Sequence, residues 1–195
     1  MSSGVIDKAE IVSSTLQYRG WASLLLANVR LGDGRMVARV IEDHGDAACV
    51  LPYDPERRIA LLVRQLRTPT LYAAGIATLI EAPAGLIDAG EDGATAATRE
   101  AMEEVGLRLT ALEPVARVWT MPGVSAERMS LFLGAFSRAD RVAQGGGVAT
   151  EHEDIEVIEM PLAELAAMAD GGTLTDLKTF TLVQTLRVKR PELFV

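Results

Sequence analysis

The stretch GLIDAGEDGATAATREAMEEVGL, residues 85–107, decides the fold of this chain, because it joins a glycine-rich loop to an unusual helix. At 100° per residue, residues 93–105 place a set of small apolar side chains on one narrow stripe. The stripe consists of Ala94, Ala97, Ala101 and Val105. Because the stripe is mostly alanine, we expect this helix to pack closely against a sheet.

Three carboxylates crowd the end of the predicted helix. Glu100, Glu103 and Glu104 stand at positions i, i+3 and i+4, where like charges repel one another. They also lie near the helix C-terminus, where the helix dipole disfavours negative charge. A sequence that departs twice from local stability rules indicates a functional site. Mg²⁺ would compensate the charge, because it takes oxygen ligands from one or two carboxylates and from substrate phosphates.

Two other interpretations of the stretch were weighed against a magnesium site. The acids could form a solvated acidic surface, or the segment from Asp88 could be a calcium-binding loop. An EF-hand loop requires Asp or Asn at its third position and Glu at its twelfth. These positions are Gly90 and Arg99 here, which excludes the calcium loop. On these residues alone the solvated acidic surface stays open as the alternative.

The overall composition is that of an ordinary folded protein. The chain has 195 residues, of which 49% are hydrophobic, so one domain with at most a small appendage is expected. A formal net charge of −8 argues against binding to nucleic acid. The single cysteine, Cys49, has no disulfide partner, and it lies in an apolar strand that predicts a core position. Without a secretory signal or a membrane-length apolar stretch, we expect a cytoplasmic protein that binds no membrane.

The remaining sequence predicts a mixed α/β architecture. Residues 21–43 are typical of a β-hairpin around a Gly-Asp-Gly turn. We therefore divide the chain into an N-terminal β subdomain, 1–45, and a main domain, 46–195. Further strands are predicted at 47–54, 58–67, 114–120, 129–136 and 155–160, and further helices at 161–170 and 174–189. Residues 78–88 are predicted to be a strand that runs into a loop. Strands that come in runs, with helices between and after them, predict a sandwich and not a regular βα repeat.

The spacing within residues 85–107 resembles the sequence box of the Nudix hydrolases. The matching positions are Gly85, Glu91, Arg99, Glu100, Glu103, Glu104, Gly106 and Leu107. Ala101 is the one departure, since the family usually has a bulkier aliphatic residue there. The resemblance covers roughly residues 15–190 and indicates the ADP-ribose pyrophosphatase and GDP-mannose hydrolase branch. Pro83, two residues before the first glycine of the box, and Pro122, in MPGVSAER, are typical of that branch.

The resemblance implies a fold and an activity. The fold is the Nudix fold, a mixed-sheet α/β/α sandwich with an N-terminal β-hairpin subdomain. The activity is hydrolysis of the pyrophosphate bond of a nucleoside diphosphate sugar with Mg²⁺, or with Mn²⁺ as a substitute. ADP-ribose, giving AMP and ribose 5-phosphate, is the favoured substrate, and GDP-mannose is the alternative. A non-catalytic module that binds an ADP-ribose-type metabolite is a further alternative, while an isopentenyl diphosphate isomerase would need a better placed cysteine than Cys49.

The resemblance also implies the metal ligands. Glu100 and Glu104 would be the main ligands, Glu103 a further ligand with a catalytic role, and the carbonyl of Ala84 would join them. Structural roles within the box are implied for four residues, which are Gly85, Glu91, Arg99 and Gly106. Of these, Glu91 and Arg99 resemble an ion pair that orients the loop and the helix.

Residues outside the box would complete the site. In this branch an acid that matches Glu151 or Glu153 serves as the general base or as a late metal ligand, and the sequence does not choose between them. Arg39 and Arg67 match arginines that hold the phosphates or stack on the base. Glu127 matches a glutamate that contacts a ribose.

Members of the branch are homodimers whose N-terminal strands cross to the partner subunit. The hairpin at 21–43 fits that role, and Arg39 would then act on the neighbour's substrate. The segment LTDLKT, residues 174–179, is also similar to this branch. Its Lys178 is expected to be a solvated helix lysine, and His152 a solvent-exposed loop histidine.

Overall fold

A computed structural model of the chain describes residues 7–147 and 154–195. They divide into two compact units, each formed from two stretches of sequence. The first unit contains the residues up to Asp46 together with Trp119–Arg128, and the second contains Ala47–Val118 and Met129–Val195. The loop acids Glu151 and Glu153, and His152 between them, lie outside the described residues.

The first unit contains an antiparallel sheet in the order β1-β2-β3. Its strands are β1 Glu10–Arg19, β2 Ser23–Arg30 and β3 Met36–Asp43. β2 and β3 pair without a register shift from Ser23↔Asp43 to Arg30↔Met36, and Gly34 in the connecting turn has a φ of 85°. A positive φ of this size suits glycine, which has no Cβ. The hairpin predicted from the Gly-Asp-Gly turn is therefore confirmed.

The sequence did not predict β1, and its structure explains the omission. Every residue of the strand is exposed in this chain, so none of its apolar side chains belongs to a core within the chain. Its pairing with β2 also contains two register shifts, between Ile11 and Ser13 and between Leu16 and Tyr18. Without a constant period of two, the main sequence signal for a strand is lost.

The second unit contains a mixed sheet. Its strands are β4 Ala47–Asp54, β5 Ile59–Leu66, β6 Thr78–Glu81, β7 Ala84–Leu86, β8 Glu113–Trp119, β9 Arg128–Ala135 and β10 Glu156–Pro161. The last residue of β8, Trp119, and the first of β9, Arg128, are counted with the first unit. The order is β10-β5-β4-β9-β8, while β6 pairs with β5 and β7 pairs with β4. β4 runs parallel to β9 and antiparallel to β5. The segment 78–88, predicted as a strand that runs into a loop, forms two strands, β6 and β7, on either side of Pro83, which has no N–H to donate to a ladder.

The helices of the second unit are short. They are α1 Thr68–Ala74, α2 Gly93–Val105, α3 Leu162–Asp170 and α4 Leu177–Lys189. α2 has the bounds that its alanine stripe predicts. α1 was not predicted, because its seven residues include no buried side chain and therefore no apolar stripe. None of the helices in the described residues is both long and apolar enough to cross a lipid bilayer.

The two faces of β4 separate two cores. Cys49 and Leu51 point to a core that includes Leu182 of α4, while Ala48 and Val50 point to one with Ala101 of α2. Both faces of the sheet are thus covered by helices, which explains why β4 is buried along its whole length. The predicted α/β/α sandwich with an N-terminal hairpin is confirmed.

Candidate functional site

α2 is bounded by local signals on both sides. The Asp92 carboxylate accepts a hydrogen bond from the Thr95 N–H at 2.8 Å, which caps the first turn. At the other end, Gly106 has a φ of 70°, and a Cβ there would lie 2.1 Å from the carbonyl oxygen of Ala143. Both the conformation and the space therefore require glycine at position 106.

Gly85 allows a carboxylate of α2 to lie against β7. A Cβ at this position would be 1.9 Å from Oε1 of Glu100, so no other residue leaves the Glu100 side chain where it is. Glu100 itself is only 8% exposed. The first glycine of the box thus brings backbone and carboxylate into direct proximity.

Glu104 lies one helical turn further along the same side of α2. It is 1% exposed, and its Oε2 accepts a hydrogen bond from the Ala84 N–H at 3.1 Å. α2 and β7 therefore bring together two buried carboxylates and the backbone at Ala84. Burying carboxylates is costly unless cations or hydrogen bonds compensate the charge.

Arg99 supplies part of that compensation. Its guanidinium donates to both carboxylate oxygens of Glu91, at 3.2 and 3.1 Å, and to the carbonyl oxygen of Leu86 at 2.9 Å. Nη1 also donates to Glu100 at 2.6 Å and to Glu103 at 3.1 Å. These contacts, above all those with Glu91, raise the pKa of Arg99. One cation thus ties the loop to the helix and offsets the repulsion among the glutamates.

The donor set can be tested for its fit to Mg²⁺. Within residues 7–147 and 154–195, no three His, Cys, Asp or Glu side chains converge into a ready metal cluster. Glu100 and Glu104 nevertheless offer buried oxygen donors one helical turn apart, and Glu104 also contacts the backbone at Ala84. Mg²⁺ typically uses one or two carboxylates and completes its shell with waters and substrate phosphates. The residues fit a magnesium site of that open kind.

A second charged cluster lies in the same unit and centres on Glu81. Arg67 donates to its two carboxylate oxygens at 2.6 and 2.8 Å, and Lys178 donates to it as well. Glu81 is 1% exposed. Burial by itself would raise the pKa of Glu81, but the hydrogen bond from Arg67 and the charge of Lys178 hold it below its usual value. Arg67 is therefore oriented by a bidentate ion pair.

The N-terminus of α4 completes this cluster. Asp176 accepts hydrogen bonds from the Thr179 N–H at 2.9 Å and from Lys178 at 2.9 Å. The Thr179 hydroxyl in turn accepts the Ala82 N–H at 2.7 Å, which fastens α4 to the chain between β6 and β7. The expectation of a solvated Lys178 is wrong, because this side chain is only 12% exposed.

Glu81 and Asp176 were not predicted as members of this charged cluster. Asp176 had a local signal, since TDLKT places an aspartate directly before a helix with threonine three residues later. Glu81 had none, because a glutamate in a strand pattern reads as solvent-facing, and its partners lie 14 and 97 residues away in sequence.

Two predicted substrate contacts belong to the first unit. Arg39 lies on β3, and its Nη1 donates to the carbonyl oxygen of Ala38 at 2.8 Å. Glu127 is 9% exposed, and its Oε2 lies 2.8 Å from Nε2 of His44. The structure therefore places Arg67 and the box residues in one unit, and Arg39 and Glu127 in the other.

Comparison with known proteins agrees with the geometry of the box. A model of the NUDIX domain matches residues 43–180. A GDP-mannose pyrophosphatase of Cronobacter sakazakii is 39% identical over 160 residues, which cover 80% of this chain and 82% of that protein. An ADP-ribose pyrophosphatase of Escherichia coli is 32% identical over 189 residues, which cover 93% of this chain and 89% of that protein.

A solved structure agrees at the level of the fold. The crystal structure of an ADP compounds hydrolase has a TM-score of 0.75 to this chain, covering 99% of it and 100% of the other. The sequence identity of 19% means that this likeness shows the fold alone. The domain match and the two relatives confirm the family that residues 85–107 predict, and the chain belongs to the Nudix family.

Proposed function

We propose that this protein hydrolyses the pyrophosphate bond of a nucleoside diphosphate sugar in a Mg²⁺-dependent reaction. The single observation that carries the proposal is the pair of buried carboxylates, Glu100 and Glu104, beside the backbone of Ala84. Burying two acids is costly unless their charge is compensated, and a bound cation would add to the compensation that Arg99 and the Ala84 N–H supply. ADP-ribose is the favoured substrate, and its hydrolysis gives AMP and ribose 5-phosphate.

GDP-mannose is the second candidate substrate. It is favoured by the relative with 39% identity, which is a GDP-mannose pyrophosphatase. ADP-ribose is favoured by the relative that matches 93% of this chain, which is an ADP-ribose pyrophosphatase. A non-catalytic binding module is less well supported, because the box of residues 85–107 retains all of its acids.

Glu100, Glu104, Glu103 and the Ala84 carbonyl would hold Mg²⁺, with Mn²⁺ as a substitute. When bound, the cation supplies Lewis-acid stabilisation of the pyrophosphate oxygens. Arg99 would hold Glu100 and Glu103 in place against their mutual repulsion. Its Nη1 lies 2.6 Å from the Glu100 carboxylate and 3.1 Å from the Glu103 carboxylate.

Arg67 is proposed to bind the substrate phosphates. The bidentate contact with Glu81 uses its Nε and one N–H of Nη2, so the remaining N–H groups of the guanidinium can donate to phosphate oxygens. An arginine whose orientation is already set loses less entropy when it binds a phosphate.

The remaining roles rest on the family resemblance. One of Glu151 and Glu153 would act as the general base that takes a proton from the attacking water. Attack on phosphorus then breaks the bond to the bridging oxygen. Arg39 would hold a phosphate or stack on the base, and Glu127 would contact a ribose.

The proposed assembly is a homodimer with exchanged N-terminal strands, acting in the cytoplasm without nucleic acid or membrane partners. β1 supports the dimer, because it exposes several apolar side chains that a second copy would cover. The exposed fractions are 61% for Ile11, 46% for Val12, 46% for Leu16 and 58% for Tyr18. The net charge of −8 supports the absence of nucleic acid.

Phosphate release from a panel of nucleoside diphosphate sugars tests the proposal. The products are treated with a phosphatase, and the phosphate is measured with malachite green in the presence of Mg²⁺ or Mn²⁺. We expect turnover of ADP-ribose or GDP-mannose that is abolished by chelation. If no member of the panel is hydrolysed with either metal, the proposal is wrong.

A further inference from the structure

A histidine of the first unit lies between two carboxylates. His44 Nδ1 is 2.6 Å from Oε1 of Glu42, and its Nε2 is 2.8 Å from Oε2 of Glu127. The ring stacks on Trp21, with 4.8 Å between the ring centroids and 22° between the planes. The histidine side chain is 13% exposed, so water competes little for either nitrogen.

The chemistry of this arrangement selects one protonation state. An ionised carboxylate only accepts hydrogen bonds, and a neutral imidazole has only one N–H to donate. Hydrogen bonds to Glu42 and Glu127 at the same time therefore require the imidazolium form of His44. Stacking on Trp21 also favours a cation, since the face of an indole attracts positive charge.

The same contacts fasten the segment that carries Glu127 to β3. The Ser125 hydroxyl donates to Oε2 of Glu42 at 2.7 Å and accepts the Glu127 N–H at 3.1 Å. Backbone hydrogen bonds run from the Glu42 N–H to Val124 O and from the Ala126 N–H to Glu42 O, both at 2.8 Å. Glu42 thus holds the backbone of this segment, while His44 holds the Glu127 side chain.

We propose that His44 is a positioning residue, whose imidazolium bridges Glu42 and Glu127 and thereby holds the Glu127 carboxylate ready to contact the substrate ribose. The inference rests on the proposed function, in which Glu127 contacts the ribose. It adds that the strength of this contact depends on the charge of His44.

The surrounding charges set the direction of the pH dependence. Burial alone would lower the pKa of His44, but the hydrogen bonds and charges of Glu42 and Glu127 raise it above its ordinary value. The neighbouring acids are engaged elsewhere, since Asp43 accepts the Gly45 N–H and Asp46 accepts the Arg128 N–H, each at 3.1 Å. Loss of the imidazolium proton leaves a single N–H for the two carboxylates and removes the positive charge between them, so the hold on Glu127, and with it binding, weakens as pH rises through the His44 pKa.

NMR titration of the imidazole tests the ion bridge without substrate. The chain has two histidines, so the signal that disappears in His44→Gln belongs to His44. We expect the pKa of His44 to lie above 6.5 in the wild-type protein and to fall in Glu127→Gln. A His44 pKa at or below 6.5, unchanged in Glu127→Gln, would overturn the inference.

Binding of the α,β-methylene analogue of ADP-ribose tests the positioning role. We expect its Kd to rise about tenfold as pH rises through the His44 pKa, the loss of about one charge-assisted hydrogen bond. In His44→Gln the Kd should be high at all pH values. The control is Arg35→Gln, which removes an exposed ion pair with Asp33 in a turn. This variant should bind the analogue as the wild type does. A wild-type Kd that does not change with pH would overturn the inference, whether or not His44→Gln folds.

These measurements are separate from the test of the proposed function. Neither requires turnover, so a protein that binds the analogue with the predicted pH dependence but hydrolyses nothing would contradict the proposed function only. Hydrolysis of ADP-ribose with a pH-independent Kd would contradict the role of His44 only.

Discussion

Gly85 has a steric role that its sequence position alone does not reveal. Its φ lies outside the left-handed region, so glycine is required there by the proximity of Glu100 and not by backbone conformation. The same carboxylate oxygen accepts a hydrogen bond from Arg99. The box glycine leaves room for the Glu100 carboxylate, and the box arginine binds it.

Gly85→Ala should displace the Glu100 carboxylate, since the new Cβ would lie 1.9 Å from Oε1. We expect activity to fall sharply and the free energy of unfolding to decrease by about 1–3 kcal/mol, the usual cost of overpacking. Urea unfolding and initial rates measure both effects. Gly123→Ala is the matched control, because a Cβ at Gly123 meets nothing within 4 Å. Equal stability of the two variants would contradict the steric explanation.

Glu104→Gln should separate the charge of this residue from its shape. The amide oxygen can still accept the Ala84 N–H, so the fold should be retained, while the anionic ligand is lost. We expect kcat to fall by several orders of magnitude, about 4 kcal/mol for each thousandfold. Circular dichroism confirms folding, and Glu113→Gln, in an exposed ion pair with Lys189, is the control. Near-normal kcat in Glu104→Gln would show that the metal assignment is wrong.

At the scale of elements, α2 and α4 begin in the same way but in different surroundings. Each has an aspartate N-cap that accepts a backbone N–H three residues later. The Asp92 cap of α2 makes a local contact. The Asp176 cap of α4 also binds Lys178, whose ammonium is buried against Glu81.

Asp176→Ala should therefore be more destabilising than Asp92→Ala. Loss of the Asp176 carboxylate removes the cap and leaves the buried Lys178 with one anionic partner fewer, at a cost of roughly 2 kcal/mol or more. Asp92→Ala removes a cap only. Urea unfolding followed by circular dichroism gives the two free energies. Equal losses would show that the Lys178 contact adds nothing to the cap.

At the scale of the whole molecule, two kinds of titratable group limit the pH range in which the fold is most stable. One kind has a lowered pKa and the other a raised pKa. Glu81 and Glu42 have lowered pKa values, while His44 has a raised one. A lowered carboxyl pKa stabilises the fold above the unfolded pKa, and this contribution is lost as pH falls through the folded pKa. A raised imidazole pKa stabilises the fold below the unfolded pKa, and this contribution is lost as pH rises through the folded pKa.

The free energy of unfolding should thus be greatest between the ordinary values of 4.5 for glutamate and 6.5 for histidine. Both tryptophans, Trp21 and Trp119, belong to the first unit, so their fluorescence reports on the unit that contains His44. Urea midpoints measured by fluorescence from pH 3 to pH 9 should fall on the alkaline side, and His44→Gln should remove that decrease. If the urea midpoint still falls at alkaline pH in His44→Gln, a group other than His44 causes the decrease.

The proposed dimer gives a prediction for assembly. Ile11→Lys introduces a charge where β1 exposes an apolar side chain, so it should weaken a dimer that buries this strand. Sedimentation at several concentrations should show a dimer for the wild-type protein and a shift towards monomer for the variant. Val188→Lys, at an 84% exposed position of α4 in the other unit, should sediment as the wild type does. A wild-type monomer would contradict the proposed assembly.

The sequence by itself determined the parts of this protein whose signals are local. α2 follows from its alanine stripe and its two end signals, and β4, β8, β9 and β10 lie within one residue of their predicted bounds. The hairpin follows from its turn. β1 and α1 were missed, because neither has an apolar face within this chain.

Only the tertiary structure decided which side chains meet. Glu81 meets Lys178 across 97 residues, and Glu127 meets His44 across 83 residues. The box glutamates were evident from their spacing, but the contact of Gly85 with Glu100 depends on how β7 packs on α2. The physical reason is that a helix or a turn depends on neighbours in sequence, whereas the partners of a buried ion pair are brought together only by folding, which also removes the water that would screen their attraction.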